Sequence, residues 1–439
     1  MTPGAQVAAA IDILAAVDTG EHPAEEVAAD YFRRRRYIGA KDRAQIASHV
    51  YTVLRHRAAL DWWSVKHAVE IGSRTRVLAA LVLAEGWRPE SVAMCCDGER
   101  FRPAPLNEAE KRLVSNLARH TLHHPGMSRA VANDLPEWLE PYLDRVFGKG
   151  LEQEMVALNA SAPTDLRVNL LKADRATARR ALAAEGAMAE PTPWSPIGLR
   201  LNGRVPLGGL AAFKDGIVEV QGEGSQITAL LVDARPAMRV VDFCAGAGGK
   251  SLALAAQMAN RGKLVACDVS AHRLDQATGR LRRGGVGNVE RRALTSERDK
   301  WVKRHAGGFD RVLVDAPCLG IGAWRRNPGD KWRVTEADLA NLIGRQQDIL
   351  RSAARLVCPG GRLVYATCSL LREENEAQAE AFLAVSPEFS VIPAGQVWKE
   401  TIGGAVPGSD RYLRLTPAQH GTDGFFVAIF ERQPNPTAS

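Results

Sequence analysis

Long apolar runs are missing from this chain. No uninterrupted stretch approaches the ~18 residues of a membrane-spanning helix, so insertion into a bilayer is not expected. The N-terminus has neither a cationic flank nor a cleavage site, which argues against secretion. Cysteine is sparse and odd in number: seven residues, with no repeating C-x-x-C spacing. That excludes a disulfide framework and a zinc ribbon, and it predicts reduced thiols, a cytoplasmic location and no structural metal. Internal repeats and low-complexity tracts are also absent.

What remains is an ordinary globular composition. The 439 residues are 46% hydrophobic and 24% charged, enough for two or three domains with a sizeable core. The net charge of +7 is unevenly placed. Residues 1–140 hold 18 basic and 18 acidic side chains, whereas residues 280–333 hold 14 basic and 6 acidic ones. A basic field concentrated in one segment suggests a polyanionic substrate, with nucleic acid the first expectation.

Helical spacing dominates residues 1–140. Helices are predicted over Val7–Val17, Ala44–Leu60 and Val77–Leu83, and Arg33, Arg34, Arg35 and Arg36 form a basic run. The run reads first as a solvated helix end and second as an RNA phosphate contact. After a connector punctuated by Pro125, Gly126, Pro136 and Pro141 the pattern changes. Strands at 166–169 and 198–201 around a helix at 176–185 predict a small α+β unit over 141–235.

From Arg239 to residue 433 strands and helices alternate, as in a doubly wound sheet. Seven strands are predicted, at 239–243, 263–268, 289–292, 309–314, 362–367, 389–392 and 425–431, the final pair antiparallel. Helices are predicted at 251–258, 271–282, 335–357 and 374–385. Gly360-Gly361 is read as the stop of the third helix, and Thr422-Asp423-Gly424 as a hairpin turn. Residues 434–439 read as a loose tail.

Two features of this region carry chemistry. The first strand opens into Cys244-Ala245-Gly246-Ala247-Gly248-Gly249-Lys250-Ser251, a glycine loop at a helix N-terminus. A dinucleotide site wants a third glycine at Ser251, and a phosphate loop wants glycine at Cys244. S-adenosylmethionine wants a glycine loop and an acid at the end of the second strand, where Asp268 stands. The second feature is Arg-Val-Leu-Val-Asp315-Ala-Pro-Cys318, a buried-type strand ending in a carboxylate and a thiol. The next strand ends in Thr367-Cys368-Ser369. Two thiols at adjacent strand ends beside one cofactor loop are of no use to a dehydrogenase or an ATPase. A cytosine methyltransferase uses them.

These motifs resemble the Sun-type RNA cytosine-C5 methyltransferases, in particular the bacterial RsmB-like branch, over nearly the whole chain. The residues that carry the resemblance are Cys244 to Lys250, Asp268 with His272-Arg273-Leu274, Asp315-Ala-Pro-Cys318, and Thr367-Cys368-Ser369. Val220-Gln221, Ser225-Gln226 and Asp423-Gly424-Phe425-Phe426 add weaker support. Asp42-Arg43-Ala44 with Val50-Tyr51-Thr52-Val53-Leu54-Arg55 resembles a NusB-type RNA-binding domain. Three departures stand out: Ala247 replaces a usual proline, Leu294 replaces an adenine-contacting aspartate (with Ser296 or Glu297 as substitutes), and Gly222 replaces an aspartate after Gln221.

The resemblance implies a seven-stranded Rossmann-like methyltransferase domain, preceded by the small α+β unit and an all-α NusB-like domain. It implies S-adenosylmethionine held by residues 244–250, Asp268, Arg273 and Asp315. Cys368 is the implied nucleophile, Cys318 the partner in proton removal or release, Asp315 the cytosine contact, and Lys250 the cation that keeps Asp315 ionised. Neighbouring cations would lower a thiol pKa. Trp324, Arg325 and Arg326 would stack on or clamp RNA, or else Trp324 simply packs. The implied substrate is small-subunit ribosomal RNA, with transfer RNA second, acted on by a monomer. The readings from other classes are a non-catalytic ribosome-assembly factor and a phosphate-loop ATPase.

Overall fold

Hydrophobic spacing decides the first third of the chain. The computed structural model describes residues 1–408 and 411–434 and divides into two units, residues 1–160 with 324–336, and residues 161–323 with those from 337 on. The first unit is helical, with helices at Pro3–Asp18, Ala24–Arg34, Ala40–Arg55, Arg57–Lys66, Ser73–Leu83 and Glu108–Leu117 among others. Its core is the apolar face that the spacing predicts, including Ile13, Ile46, Val50, Val53, Leu60, Trp63 and Leu78. The helix expected over residues 44–60 is broken at His56, whose backbone leaves the helical region. The break is held by Asp134, which meets the His56 ring at 3.0 Å and accepts the Ala59 N–H.

The short stretch 324–336 is part of this unit. Trp324 is 1% exposed and Lys331 is fully buried. The Lys331 ammonium donates to the Arg55 carbonyl and the Asn159 side chain, and the Trp332 indole donates to the Leu54 carbonyl. Burial lowers the Lys331 pKa to about 8.

The second unit opens with a four-stranded antiparallel sheet: β1 (Asp165–Val168), β2 (Ala189–Pro191), β3 (Gly198–Leu201) and β4 (Val218–Val220), in the order β2-β3-β1-β4. The helix Arg175–Ala184 packs Ala178 and Leu182 into its core.

The larger sheet contains all seven predicted strands: β5 (Arg239–Asp242), β6 (Lys263–Asp268), β7 (Val289–Ala293), β8 (Phe309–Asp315), β9 (Val357–Thr367), β10 (Phe389–Ile392) and β12 (Phe425–Arg432). An eighth, β11 (Leu413–Leu415), pairs antiparallel with β12. It went unpredicted because three residues cannot display a period. The remaining order is β10-β12-β9-β8-β5-β6-β7, parallel from β9 to β7, with β12 antiparallel to both its neighbours. Val241, Val265, Val312 and Tyr365 face one apolar layer, and Val240, Leu264, Leu313 and Val364 face the other. Both faces being covered explains why the strands read as continuous apolar runs.

Two local expectations are corrected. The long helix ends at Ala354, and Gly360-Gly361 lies inside β9. There the register against β8 shifts, and a Cβ on Gly361 would meet the Cys358 carbonyl at 2.9 Å, so the glycines serve a β-bulge. Thr422-Asp423-Gly424 does precede β12, but a short helix, Pro417–His420, separates it from β11. The expected tail falls largely outside the described residues. Among those residues, no helix is long and apolar enough to cross a membrane.

Candidate active site

The strand order reverses at β5, with β6 on one side and β8 on the other, which opens a crevice at the carboxyl ends of these strands. The chain leaves β5 through Phe243 and Cys244 and turns at Gly246 (φ +53°) and Gly248 (φ +76°) into the helix Gly249–Gln257. Both glycines are required. A Cβ on Gly246 would lie 2.6 Å from the Arg273 guanidinium, and one on Gly248 would lie 2.8 Å from Ala277 Cβ. Asp268, at the end of β6, braces this loop. One carboxylate oxygen accepts the Gly246 N–H and the other the Ser270 N–H, each at 2.8 Å.

Behind the loop, Arg280 donates to the Ala247 carbonyl and the buried Arg167 donates to the Gly249 carbonyl, both at 2.8 Å. Asp242 is wholly buried and accepts from the Ser251 hydroxyl at 2.7 Å. Burial pushes its pKa up to about 7, against the opposing pull of that hydrogen bond.

The other half of the site comes from β8 and β9. Lys250 Nζ lies 2.7 Å from Asp315 Oδ2. Burial works against the ammonium, but the adjacent carboxylate prevails and raises its pKa. Cys318 Sγ and Cys368 Sγ are 3.5 Å apart. The hydrogen bond to Cys368, and then burial, hold the Cys318 thiol well above the ordinary thiol pKa. The expected lowering by nearby cations is therefore reversed at this cysteine. Burial, helped by the Asp315, Asp242 and Asp268 carboxylates, also raises Cys244 against a weaker pull from Arg345.

A cavity of about 300 Å³ joins the two halves, lined among others by Cys244, Asp268, Arg273, Asp315, Cys318 and Cys368. Ala245, Gly246, Ala247, Gly248 and Gly249 form the loop beside it, and Lys250 reaches it through Asp315. Leu294 and Glu297 both line the cavity, while Ser296 lines a neighbouring hollow. Gly222 stands at the N-cap of the helix Glu223–Leu230 with no side chain to cap it, and Gln221 accepts from Arg167 instead.

Trp324 and Arg325 are corrected: both are buried in the helical unit, so the packing reading replaces RNA stacking. The arginine run is largely engaged. Arg33 and Arg34 pair with Asp30, and the Arg35 guanidinium lies 3.7 Å over the Tyr31 ring. The motif reading missed Phe243, Arg345 and Ile349, which line the cavity, and the arginines behind the loop. A charged residue inside the apolar strand Leu166-Arg167-Val168 was the available signal for one of them.

A doubly wound sheet with a glycine loop after its first strand, an acid after its second and a last strand antiparallel to the rest defines the Rossmann-like methyltransferases. Within that class the chain belongs to the RsmB/F family. The model described as "16S rRNA methyltransferase RsmB/F" matches residues 229–431, and that of the "ferredoxin-like domain" of the same group matches residues 135–208. The chain is 32% identical to the probable ribosomal RNA small subunit methyltransferase B of Bacillus subtilis, over 85% of this chain and 81% of that one. It is 31% identical to ribosomal RNA small subunit methyltransferase B of Xanthomonas campestris, over 89% of each. The solved structure of the protein PH0851 superposes with a TM-score of 0.79 at 25% identity, over 98% of this chain and all of that one.

Proposed function

We propose that this protein transfers a methyl group from S-adenosylmethionine to C5 of a cytosine in RNA through a covalent adduct at C6. Small-subunit ribosomal RNA is the substrate that the names of its relatives favour, ahead of transfer RNA. One observation carries the reading: two thiols 3.5 Å apart, from neighbouring strand ends, share a cavity with an ion-paired aspartate and the strand-two acid.

The cavity suits the cofactor. The loop turns through Gly246 and Gly248 into the N-terminus of the helix Gly249–Gln257, and Asp268 has lone pairs beyond those its two backbone donors use. Residues 244–250, Asp268, Arg273 and Asp315 would hold it, with Glu297 the acid available where Leu294 stands. When bound, S-adenosylmethionine supplies an electrophilic methyl group.

The chain's own residues do the rest. C5 of cytosine is too electron-poor to be methylated directly. Cys368 sulfur bonds to C6 while its thiol proton passes to N3 of the base, the C5–C6 double bond opens, and C5 becomes an enamine-like carbon able to accept the methyl group. Asp315 receives hydrogen bonds from the amino group and N3 edge of the base as charge develops there, while Lys250 keeps its carboxylate ionised. Cys318, held protonated by its neighbour and by burial, donates toward Cys368 sulfur at rest. Once Cys368 sulfur is bonded to C6, the hydrogen bond that kept Cys318 protonated is lost, and Cys318 releases that proton to solvent. Its thiolate takes the C5 proton after transfer, the C5–H electron pair restoring the C5–C6 double bond and expelling Cys368 as the thiolate. The base must leave its stack to reach the cavity, which favours a loop or single-stranded site. We assign RNA binding without chemistry to the helical unit as a NusB-type module, and treat residues 141–235 as a connector to the catalytic region from 236 to 433.

Incubation of the purified protein with ribosomal RNA and S-adenosylmethionine, followed by nucleoside mass spectrometry, should yield 5-methylcytosine. A protein that binds RNA but produces no methylated nucleoside would instead be an assembly factor that has kept the fold.

A further inference from the structure

The reaction needs the two thiols held at one spacing, yet Cys318 and Cys368 stand on separate loops. Consecutive residues of a third segment, Glu374 and Asn375, touch both. Glu374 is fully buried, and its Oε1 accepts the Leu319 N–H at 3.0 Å and the Gln346 Nε2–H at 2.9 Å. Gln346 also donates to the Pro317 carbonyl at 2.9 Å. The residues on either side of Cys318 are thus tied to one carboxylate. Asn375, equally buried, does the same for the other loop: its Oδ1 accepts from the Thr367 hydroxyl, and its Nδ2 donates to the Ser369 carbonyl at 3.0 Å. The residues on either side of Cys368 are tied to one amide. Tyr365, on β9, donates to the Glu374 carbonyl at 2.7 Å and fixes the pair against the sheet.

The two loops also meet directly. Gly322 N–H donates to the Cys368 carbonyl at 2.9 Å, and a Cβ on Gly322 would lie 2.4 Å from the Gly424 carbonyl oxygen.

We propose that Glu374 and Asn375 are a pair of positioning residues that set the separation of the two reactive sulfurs, Glu374 through the Cys318 loop and Asn375 through the Cys368 loop. Both are fully buried and act through the residues beside the thiols, Glu374 through the Leu319 N–H and Gln346, Asn375 through the Thr367 hydroxyl and the Ser369 carbonyl. The assignment of separate thiol roles rests on the proposed cytosine chemistry; the spacing does not.

The pair has a signature that general destabilisation would not produce. With the Cys318 loop released, Glu374→Ala should still form the RNA adduct but resolve it slowly, so the adduct accumulates while turnover falls on the order of 100-fold. With the Cys368 loop released, Asn375→Ala should fail to form the adduct. Glu374→Gln keeps an acceptor oxygen of the same reach and should restore most of the activity lost in Glu374→Ala.

Spacing itself is read without RNA by phenylarsine oxide, which needs two sulfurs on one arsenic. In a Cys95→Ala/Cys96→Ala background the otherwise native protein should capture it at Cys318 and Cys368, and both alanine variants should capture it on the order of ten times more weakly. S-adenosylmethionine binding, measured by calorimetry, should persist and would establish that the variants are folded. If Glu374→Ala does not fold, Glu374→Gln and Asn375→Ala still test the two halves. Native-like arsenical capture and native-like adduct levels in folded alanine variants would overturn the proposal. Weakened capture alongside a native protein that neither methylates cytosine nor forms an adduct would uphold the spacing role and refute the chemistry.

Discussion

The two units use buried charge for different ends. In the helical unit several charged side chains answer one another, with buried Lys331, which bonds to a carbonyl and an amide, an exception. Arg76, almost inaccessible, bridges Asp18 and Asp61, Arg74 pairs with Glu110, and Asp134 holds the break at His56. The arginine pairs tie separate helices together and Asp134 holds the break between two helices, and together they leave the unit specified but chemically quiet. In the α/β unit the buried polar groups surround a cavity, and several are uncomfortable there. Asp242 is pushed up to about 7, Cys318 is held high by its neighbour, and Lys250, though buried, is raised above the ordinary lysine pKa by Asp315 beside it. Perturbed groups converging on one crevice mark a site of reaction, whereas paired groups scattered through helices mark structure.

That contrast predicts where substitutions will matter. The largest effect outside the thiols should come from Asp315→Asn, which removes the charge that Lys250 pairs with and the anionic contact to the base. Methylation should fall on the order of 100-fold in single-turnover assays. Near-native turnover would mean that Asp315 does not touch the substrate. Asp268→Ala should weaken S-adenosylmethionine binding by about 2 kcal/mol in calorimetry, from loss of charge-assisted hydrogen bonds, with RNA affinity unchanged. Unaltered cofactor affinity would detach the strand-two acid from the cofactor.

Asp242 sharpens the comparison through pH. Its folded pKa is raised above the unfolded value, so whatever it contributes is present at low pH and is lost as pH rises from about 4 through about 7. Asp242→Asn should therefore gain stability relative to the native protein between pH 5 and pH 8, by on the order of 2 kcal/mol in denaturant titrations. A gain that shrinks over that range would place the carboxyl in a different protonation state. The smallest effect is expected in the helical unit. Since Arg33, Arg34 and Arg35 already have partners, replacing Arg33 to Arg36 by glutamine should lower RNA affinity by at most about tenfold and reduce its salt dependence only slightly. A large loss would break the contrast and make the helical unit the main RNA contact.

Legibility in the sequence followed the same division. The central strands of the large sheet were readable because burial on both faces produces continuous apolar runs, the edge strands β7 and β10 only from their place in the alternation with helices, and the strand-end motifs stood out against them. The groups that hold those motifs were not readable. Arg167, Arg280 and Glu374 act on loops far from them in sequence, through bonds to backbone that leave no pattern in the residues they grip, and Asn375 holds its own nearby loop through one side-chain and one backbone bond. Gly360-Gly361 misled because a glycine pair serves a β-bulge as well as a helix end. Trp324 and Arg325 misled because residues 324–336 leave the α/β unit to pack in the helical one, an excursion that local spacing cannot reveal.

The central claim is the division of labour between two thiols 3.5 Å apart. Its most direct test is denaturing electrophoresis of each cysteine variant incubated with RNA and S-adenosylmethionine. Cys318→Ala should accumulate an RNA–protein species that survives denaturation, because the C6 bond forms and cannot be resolved. Cys368→Ala should form none, and adding it to Cys318→Ala should abolish the species. The opposite pattern, with an adduct in Cys368→Ala and none in Cys318→Ala, would assign the nucleophile to the Pro-Cys loop and contradict this account.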